Sequence, residues 1–439
     1  MSEAIEDFEN ATSQFEAGDY QKALRTLSWG FIKDINFKPL YELSAKILFK
    51  LGATEGKDLF ENALNDFNEF ESFNNLGTHF FNVGLYDLAL PFLEKAIQID
   101  YTKSDTAHDL ALAYSRRFQI DKAIGVLEKN NHHQSDFWNY WFWCKLRILN
   151  NKPDGIEEAL NELTAVLDQE KNQKNIEIAR QKVNEVKEML KRYHLIDKPK
   201  QHIQDWHFIQ YGGVILDYFD DPDEYEDEDE YVAGGRYVAS WGSKEQIREI
   251  SLKLKVFLDS VDMKVERVKY LNDKSSHIIG IVIGEELCLN YQIYDSQENN
   301  ENCLIVGANT SDFDDYQELA EIKRGQVIFS LNHNWLESAH LTPDIIGFMN
   351  QTYYFPWDGG GIKIVDAEKG LTERTEKDNR EADEIATEIL GLEDTKEIDE
   401  KILSFYKKHK EYLKAIGGIP SKLRYNYMIE SPVPGSYFQ

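Results

Sequence analysis

Residues 73 to 100 read FNNLGTHFFNVGLYDLALPFLEKAIQID, and their spacing leaves few folds open. Phe73, Leu76, Gly77 and Phe80 recur at helical intervals, Gly84 breaks the run, and Tyr86, Ala89, Leu93 and Ala96 resume it. Moving 34 residues along the chain lands on Ala107, Leu110, Ala111, Tyr114, Ala123 and Leu127, so the pattern repeats without a gap. The small residues let the two helices of a hairpin approach closely, and the large ones fill the space between neighbouring hairpins. One such unit cannot bury its own apolar face, so several must stack.

Weaker copies flank this pair. Gly18-Asp19-Tyr20 with Ala23 and Leu27, and then Tyr41, Ala45, Gly52, Phe60 and Ala63, mark two units upstream. Trp138 or Trp141, with Ala159 and Leu163, marks a fifth downstream. Residues 176 to 193 place Ile178, Val183, Val186, Met189 and Leu190 at helical spacing among many charges, as a polar capping helix requires. The spacing resembles the tetratricopeptide repeat, which implies that residues 5–195 form an all-α solenoid of four or five helical hairpins plus a cap. In that family the first helix of each hairpin lines a concave groove that holds a protein or peptide partner. The resemblance carries this role to Asn74, Thr78, Phe81 and Asn82 in one repeat and to His108, Leu112, Ser115 and Arg116 in the next. This set is polar with one cation, and departs from the lysine- and asparagine-rich clamp with which some family members hold C-terminal carboxylates.

Charge narrows the partners. The chain of 439 residues carries 78 acidic and 49 basic side chains, a net charge of −29, which opposes binding to a nucleic-acid backbone or an anionic membrane. No apolar stretch is long enough to span a bilayer, and the acidic start MSEAIEDFEN has no leader-like apolar run, so a cytoplasmic location is expected. Cys144, Cys288 and Cys303 stand singly, and no metal-ligand spacing or cofactor motif is present. Acidity peaks at residues 217–230, DYFDDPDEYEDEDE, where ten of fourteen residues are Asp or Glu. Like charges at that density favour an exposed loop.

Beyond residue 200 the period changes. A linker at 197–202 leads into residues 200–360, which read as an α/β domain with a mainly parallel sheet. His202 to Asp217 reads as two strands, or as one strand with a glycine bend, about Gly212-Gly213, and the acidic loop then joins strands of one sheet. Helices are expected at 244–261, 275–287 and 316–324, and strands at 236–240, 265–271, 289–294, 303–308 and 326–331, with an edge strand at 353–355. Ligands of such sheets sit beyond the carboxyl ends of the strands. The loops at those ends contain Asp273 and Ser275, and Asp312, Asp314 and Asp315. His333 and His340 flank Trp335 without a third ligand and read as polar loop residues. Two charged helices, within 364–416, are expected to pack on the rest, and 417–439 reads as an extended tail.

The stretch from 265 to 335, with CLIVGANTSDFDD at its centre, resembles the core of the phosphoribosyltransferase fold. Asp314 and Asp315 stand nearest to that family's acidic pair, but they lie too far past the strand and no Thr-Thr-Gly turn follows. The resemblance therefore implies a degenerate member that has lost or replaced its phosphate site.

The reading favoured by these features is a noncatalytic interaction or adaptor protein, with a groove for a protein or peptide and the α/β domain as a second recognition module. Two alternatives remain at this level: an enzyme acting on a phosphate- or nucleotide-bearing small molecule through the loops of the α/β domain, and an acidic decoy of nucleic acid.

Overall fold

A computed structural model describes residues 2–169, 173–196, 202–218, 234–360, 362–366, 371–393, 400–415 and 423–433. The linker at 197–201 and most of the acidic stretch, 219–230, lie outside the described residues. The chain is mostly helical, with 16 α-helices among the described residues and a parallel sheet in its later half. It divides into two compact units: Met1–Val183 with Glu430–Pro432, and Asn184–Ile429 with Val433–Gln439.

In the first unit, five helical hairpins follow one another: α1 (Ile5–Glu16) with α2 (Tyr20–Lys33), α3 (Lys38–Leu51) with α4 (Thr54–Asn65), α5 (Phe70–Asn82) with α6 (Tyr86–Ile99), α7 (Ser104–Arg116) with α8 (Ile120–Glu128), and α9 (Phe137–Leu149) with α10 (Ile156–Gln169). A long helix, α11 (Gln173–Tyr193), comes next, and the boundary between the units falls within it. The small residues of the pattern do what their spacing requires. A Cβ on Gly77 would lie 2.7 Å from the Leu93 side chain and 3.1 Å from its backbone nitrogen, so α5 and α6 approach as closely as glycine allows. Between hairpins, Phe31, Tyr41, Phe60, Phe80 and Phe92 form one aromatic cluster with ring centroids 5.0 to 6.1 Å apart. All five are buried, each stabilising the stack by roughly 2 kcal/mol through lost apolar surface.

The second unit opens with α12 (Ile203–Tyr211), followed by β1 (Val214–Ile215), β2 (Tyr237–Trp241), α13 (Lys244–Ser260), β3 (Arg267–Tyr270), α14 (Lys274–Leu287), β4 (Tyr291–Ile293), β5 (Cys303–Asn309), β6 (Val327–His333) and β7 (Ile345–Tyr354). The sheet runs β1-β7-β6-β5-β3-β4, with β2 also on β7, and every pairing is parallel. Both β1 and β2 pair with β7, at Ile345–Ile346 and from Asn350 onward, so the acidic stretch does connect strands of one sheet. Antiparallel β8 (Ile362–Asp366) and β9 (Leu371–Arg374), and helices α15 (Ala382–Leu390) and α16 (Glu400–Lys408), complete the unit.

Four expectations are corrected here. Residues 203–211 are helical, not a strand: Ile203 and Trp206 to Tyr211 are all buried, and a helix covered on every side has no polar face to reveal its period. Residues 316–324 hold only a 3-10 turn at Gln317–Ala320. Tyr353 and Tyr354 end β7, which lies inside the sheet between β6 and β1 or β2 and is not an edge. A Cβ on Gly347 within that strand would lie 2.4 Å from the Leu331 carbonyl oxygen, so the glycine that hides the strand in the sequence permits its packing. Of the residues 364–416 expected to form two charged helices, Leu371–Arg374 instead form β9, and the helices are confined to α15 and α16 among the described residues. Ile385, Ile389, Leu403, Tyr406 and Leu413 share one buried cluster with strands of the sheet, so the C-terminal stripes cover it. Tyr425 and Tyr427 of the tail are buried, and Leu423 and Tyr427 bridge antiparallel to Glu321 and Ala339. Residues 416–422 and 434–439 lie outside the described residues.

Candidate partner-binding groove

The residues assigned to the groove stand on α5 and α7, but three of the six polar ones are engaged with the next hairpin. Thr106 Oγ1 donates to Asn74 Oδ1 at 2.7 Å, and His108 Nδ1 lies 2.8 Å from Asn139 Oδ1 on α9. Thr78 reaches Asp109 Oδ2 at 3.5 Å. These contacts form a ladder that fixes the register of α5, α7 and α9, so Asn74, Thr78 and His108 are structural before they are recognitional. Phe81 packs against Tyr86 with centroids 5.5 Å apart, Asn82 is exposed, Leu112 is half-buried, and Ser115 donates to the Leu112 carbonyl at 2.9 Å.

Arg116, at the end of α7, is only 7% exposed. It acts on the carboxylate of Glu430, together with Lys145 on α9 and Lys182 on α11. Lys145 Nζ pairs directly with Glu430 Oε2. The Trp141 indole N–H donates to the Lys182 carbonyl at 2.9 Å and ties α9 to α11 beside this cluster. Burial would push the Glu430 carboxyl up, but Lys145, Arg116 and Lys182 outweigh it and hold the group below its ordinary value. Glu430, 4% exposed, thus remains an anion inside the first unit.

Of the three cations, sequence reasoning named only Arg116. Lys145 had a signal: Asn139 occupies on α9 the ladder position that Thr106 occupies on α7, and Lys145 follows Asn139 as Leu112 follows Thr106. The offset there is 33 residues, one short of the period, after a 3-10 segment at Lys129–Gln134 with Asn130 and Asn131 in left-handed conformations. His132 and His133 sit in that segment, and His133 stacks on Trp143 at 5.0 Å. Lys182 and Glu430 had no such signal, since neither belongs to a repeating position.

In the second unit the two loops expected to bind a ligand do meet. The charge of Asp273 acts on Asp312, whose carboxyl burial raises to about 6, against the opposing pull of the Asn309 N–H. Their visible work is local: Asp273 caps α14 by accepting from the Ser276 N–H at 2.8 Å, and Asp312 accepts from the Asn309 N–H at 2.7 Å. Ser275 Oγ accepts from the Trp357 indole at 2.9 Å, Asp314 pairs with His340 Nδ1 at 2.8 Å, and Asp315 is exposed. Beside them, at the carboxyl ends of β5, β6 and β7, opens a cavity of about 260 Å³ whose lining includes Asn309, Thr310, Asp314, Asn332, His333 and Glu337. His333, expected in a polar loop, ends β6 and is buried, which holds its imidazole well below the usual value. Among the described residues no Lys or Arg lines this cavity to counter the charge of a phosphate. Among the same residues no group of three His, Cys, Asp or Glu side chains could hold a metal ion, and no helix is long and apolar enough to cross a membrane.

No family model matches the sequence, and no curated protein matches it. Several solved structures of helical-repeat proteins are similar to it. MamA of AMB-1 is 15% identical and covers 38% of this chain and 93% of its own, with a TM-score of 0.26. YrrB, described as a TPR protein with an unusual peptide-binding site, is 20% identical over 38% of this chain and 88% of its own, at a TM-score of 0.23. TTC0263, a thermophilic TPR protein of Thermus thermophilus, is 14% identical over 40% and 95%, at 0.24. Likenesses this distant carry no functional weight. The resemblance of the second unit to phosphoribosyltransferases has no support from them.

Proposed function

We propose that this protein is a noncatalytic interaction module whose groove, on the first helices of successive hairpins, holds a segment of a partner polypeptide. The observation that carries this reading is the convergence of Arg116, Lys145 and Lys182 from three helices on one carboxylate of a polypeptide segment. Helical hairpins that only needed to stack would not require buried cations there, because isolated buried charge is costly. The second unit serves as a further recognition module. Among the described residues its cavity is lined mainly by uncharged polar side chains with Asp314 and Glu337 and by no Lys or Arg, which disfavours the enzyme reading for phosphate-bearing substrates.

The test is quantitative co-purification from native lysate with the intact chain and with Arg116→Ala/Lys145→Ala. Both substitutions leave the Asn74–Thr106 and His108–Asn139 ladder intact. A partner retained by the intact chain and reduced at least tenfold by the variant supports the groove. Retention of every partner by the variant removes it.

A further inference from the structure

The segment Glu430–Pro432 belongs to the first unit and places a glutamate, 4% exposed, in an ion pair with Lys145 of α9 and within the electrostatic reach of Arg116 of α7 and Lys182 of α11. In a chain with a net charge of −29, three cations gathered on one carboxylate are a built feature and not background. Arg116 is itself buried, and Lys145 is 14% exposed at its side chain, so an anion must stay nearby for this arrangement to be tolerable. The groove is thus specified for a carboxylate side chain on a chain that continues in both directions, since Ser431 and Pro432 follow Glu430 in the same unit.

We propose that Arg116, Lys145 and Lys182 form a carboxylate-receiving subsite, that Glu430 of the chain's own segment is its resident occupant, and that the external partner is an extended peptide whose internal Glu or Asp displaces it. This rests on the reading of the groove as a docking surface and adds the chemistry of the partner and its competitor. A tethered occupant acts at an effective concentration on the order of 1 mM. A free peptide with an intrinsic dissociation constant near ~100 µM therefore binds the intact chain about tenfold more weakly than a chain whose resident glutamate has been neutralised.

The experiment uses a fluorescein-labelled peptide with the sequence of residues 424–433, RYNYMIESPV, followed by anisotropy against the full chain. Glu430→Gln is expected to bind it at least about tenfold more tightly than the unmodified protein. The gain is expected to vanish when Lys145→Ala is added, or when the peptide carries Gln in place of its Glu. Equal binding to the unmodified and Glu430→Gln chains, no binding to either, or indifference to Lys145→Ala overturns the proposal. A second measurement does not depend on the Glu430 variant: cleavage after Glu430 by a glutamate-specific protease. It should be slow in the unmodified chain and several-fold faster in Lys145→Ala/Lys182→Ala, with other cleavage sites unchanged. Unchanged cleavage at Glu430 counts against the subsite, and protection that grows with protein concentration assigns the occupant to a second copy and overturns the tethered assignment.

The two readings fail separately. A tenfold difference in peptide binding alongside undiminished partner capture by Arg116→Ala/Lys145→Ala leaves the subsite standing and removes the docking role. Partner loss without that difference does the reverse.

Discussion

Replacing Arg424 with methionine should destabilise the second unit more than any exposed substitution could. The guanidinium is fully buried and donates to Asp344 Oδ2 from Nη2 at 2.7 Å and from Nε at 3.0 Å. It also donates to the carbonyls of Leu319 at 3.0 Å, Gln326 at 3.1 Å and Glu321 at 3.2 Å. Asp344 is 3% exposed and also accepts from the Ile328 N–H at 2.8 Å. Removing the cation strands a buried carboxylate, a loss of about 3 to 5 kcal/mol. For a unit of this size that lowers the calorimetric transition by about 6 to 20 °C. Most of the loss comes from the orphaned charge, so Arg424→Met/Asp344→Asn should recover at least about 2 kcal/mol of it. A melting shift under about 2 °C for Arg424→Met, or a double variant that melts no higher than the single, refutes the reasoning.

Asp312 gives a pH prediction in the unmodified protein. Its carboxyl titrates at about 6 when folded and near ~4 when unfolded, so its contribution is fully present below about pH 4 and is lost as pH rises through about 6. Asp312→Asn keeps an acceptor for the Asn309 N–H and should match the unmodified chain near pH 4, yet exceed it by about 1 to 3 kcal/mol at pH 7, read from urea unfolding at each pH. In the first unit, Gly77→Val should cost about 2 kcal/mol in urea unfolding, because its new Cβ falls 2.7 Å from the Leu93 side chain. Gly125, inside α8, has a helical conformation and nothing within 4 Å of the position a Cβ would take, so Gly125→Ala should gain up to about 1 kcal/mol in the same assay.

The hairpins were legible because their packing is local and repeated: Gly77, Ala89, Ala111 and Ala123 recur where two helices touch, and each repetition reinforces the reading. The parallel sheet was legible in outline for a similar reason, since β5 and β6 are short apolar runs ended by polar loops. Strand β7 escaped because Gly347 and Asn350 interrupt its apolar run, and α12 escaped because it is buried all round. The cations about Glu430 were half legible. A fixed period of 34 reaches Arg116, then loses the register by one residue at Lys129–Gln134 and so passes over Lys145. Glu430 was beyond reach, since more than 280 residues separate it from Lys145 and only the folded chain brings a carboxylate to those cations.

The electrostatics set a further condition on any partner. A chain with net charge −29 repels acidic peptides once they come within a Debye length, ~8 to 10 Å, of its surface, while the attraction of Arg116, Lys145 and Lys182 is confined to the neighbourhood of those three side chains. A uniformly acidic segment would meet repulsion on approach and compete poorly with a glutamate that is already tethered. A segment that carries one carboxylate among neutral residues would meet little repulsion, and one with added basic residues would be steered inward by the net charge; both could fill the subsite. The resident segment has this form: Glu430 is flanked by Met428, Ile429, Ser431, Pro432 and Val433, none of them charged. On the proposed docking role, specificity would therefore lie in a single buried carboxylate set in an uncharged extended stretch, with general acidity working against entry.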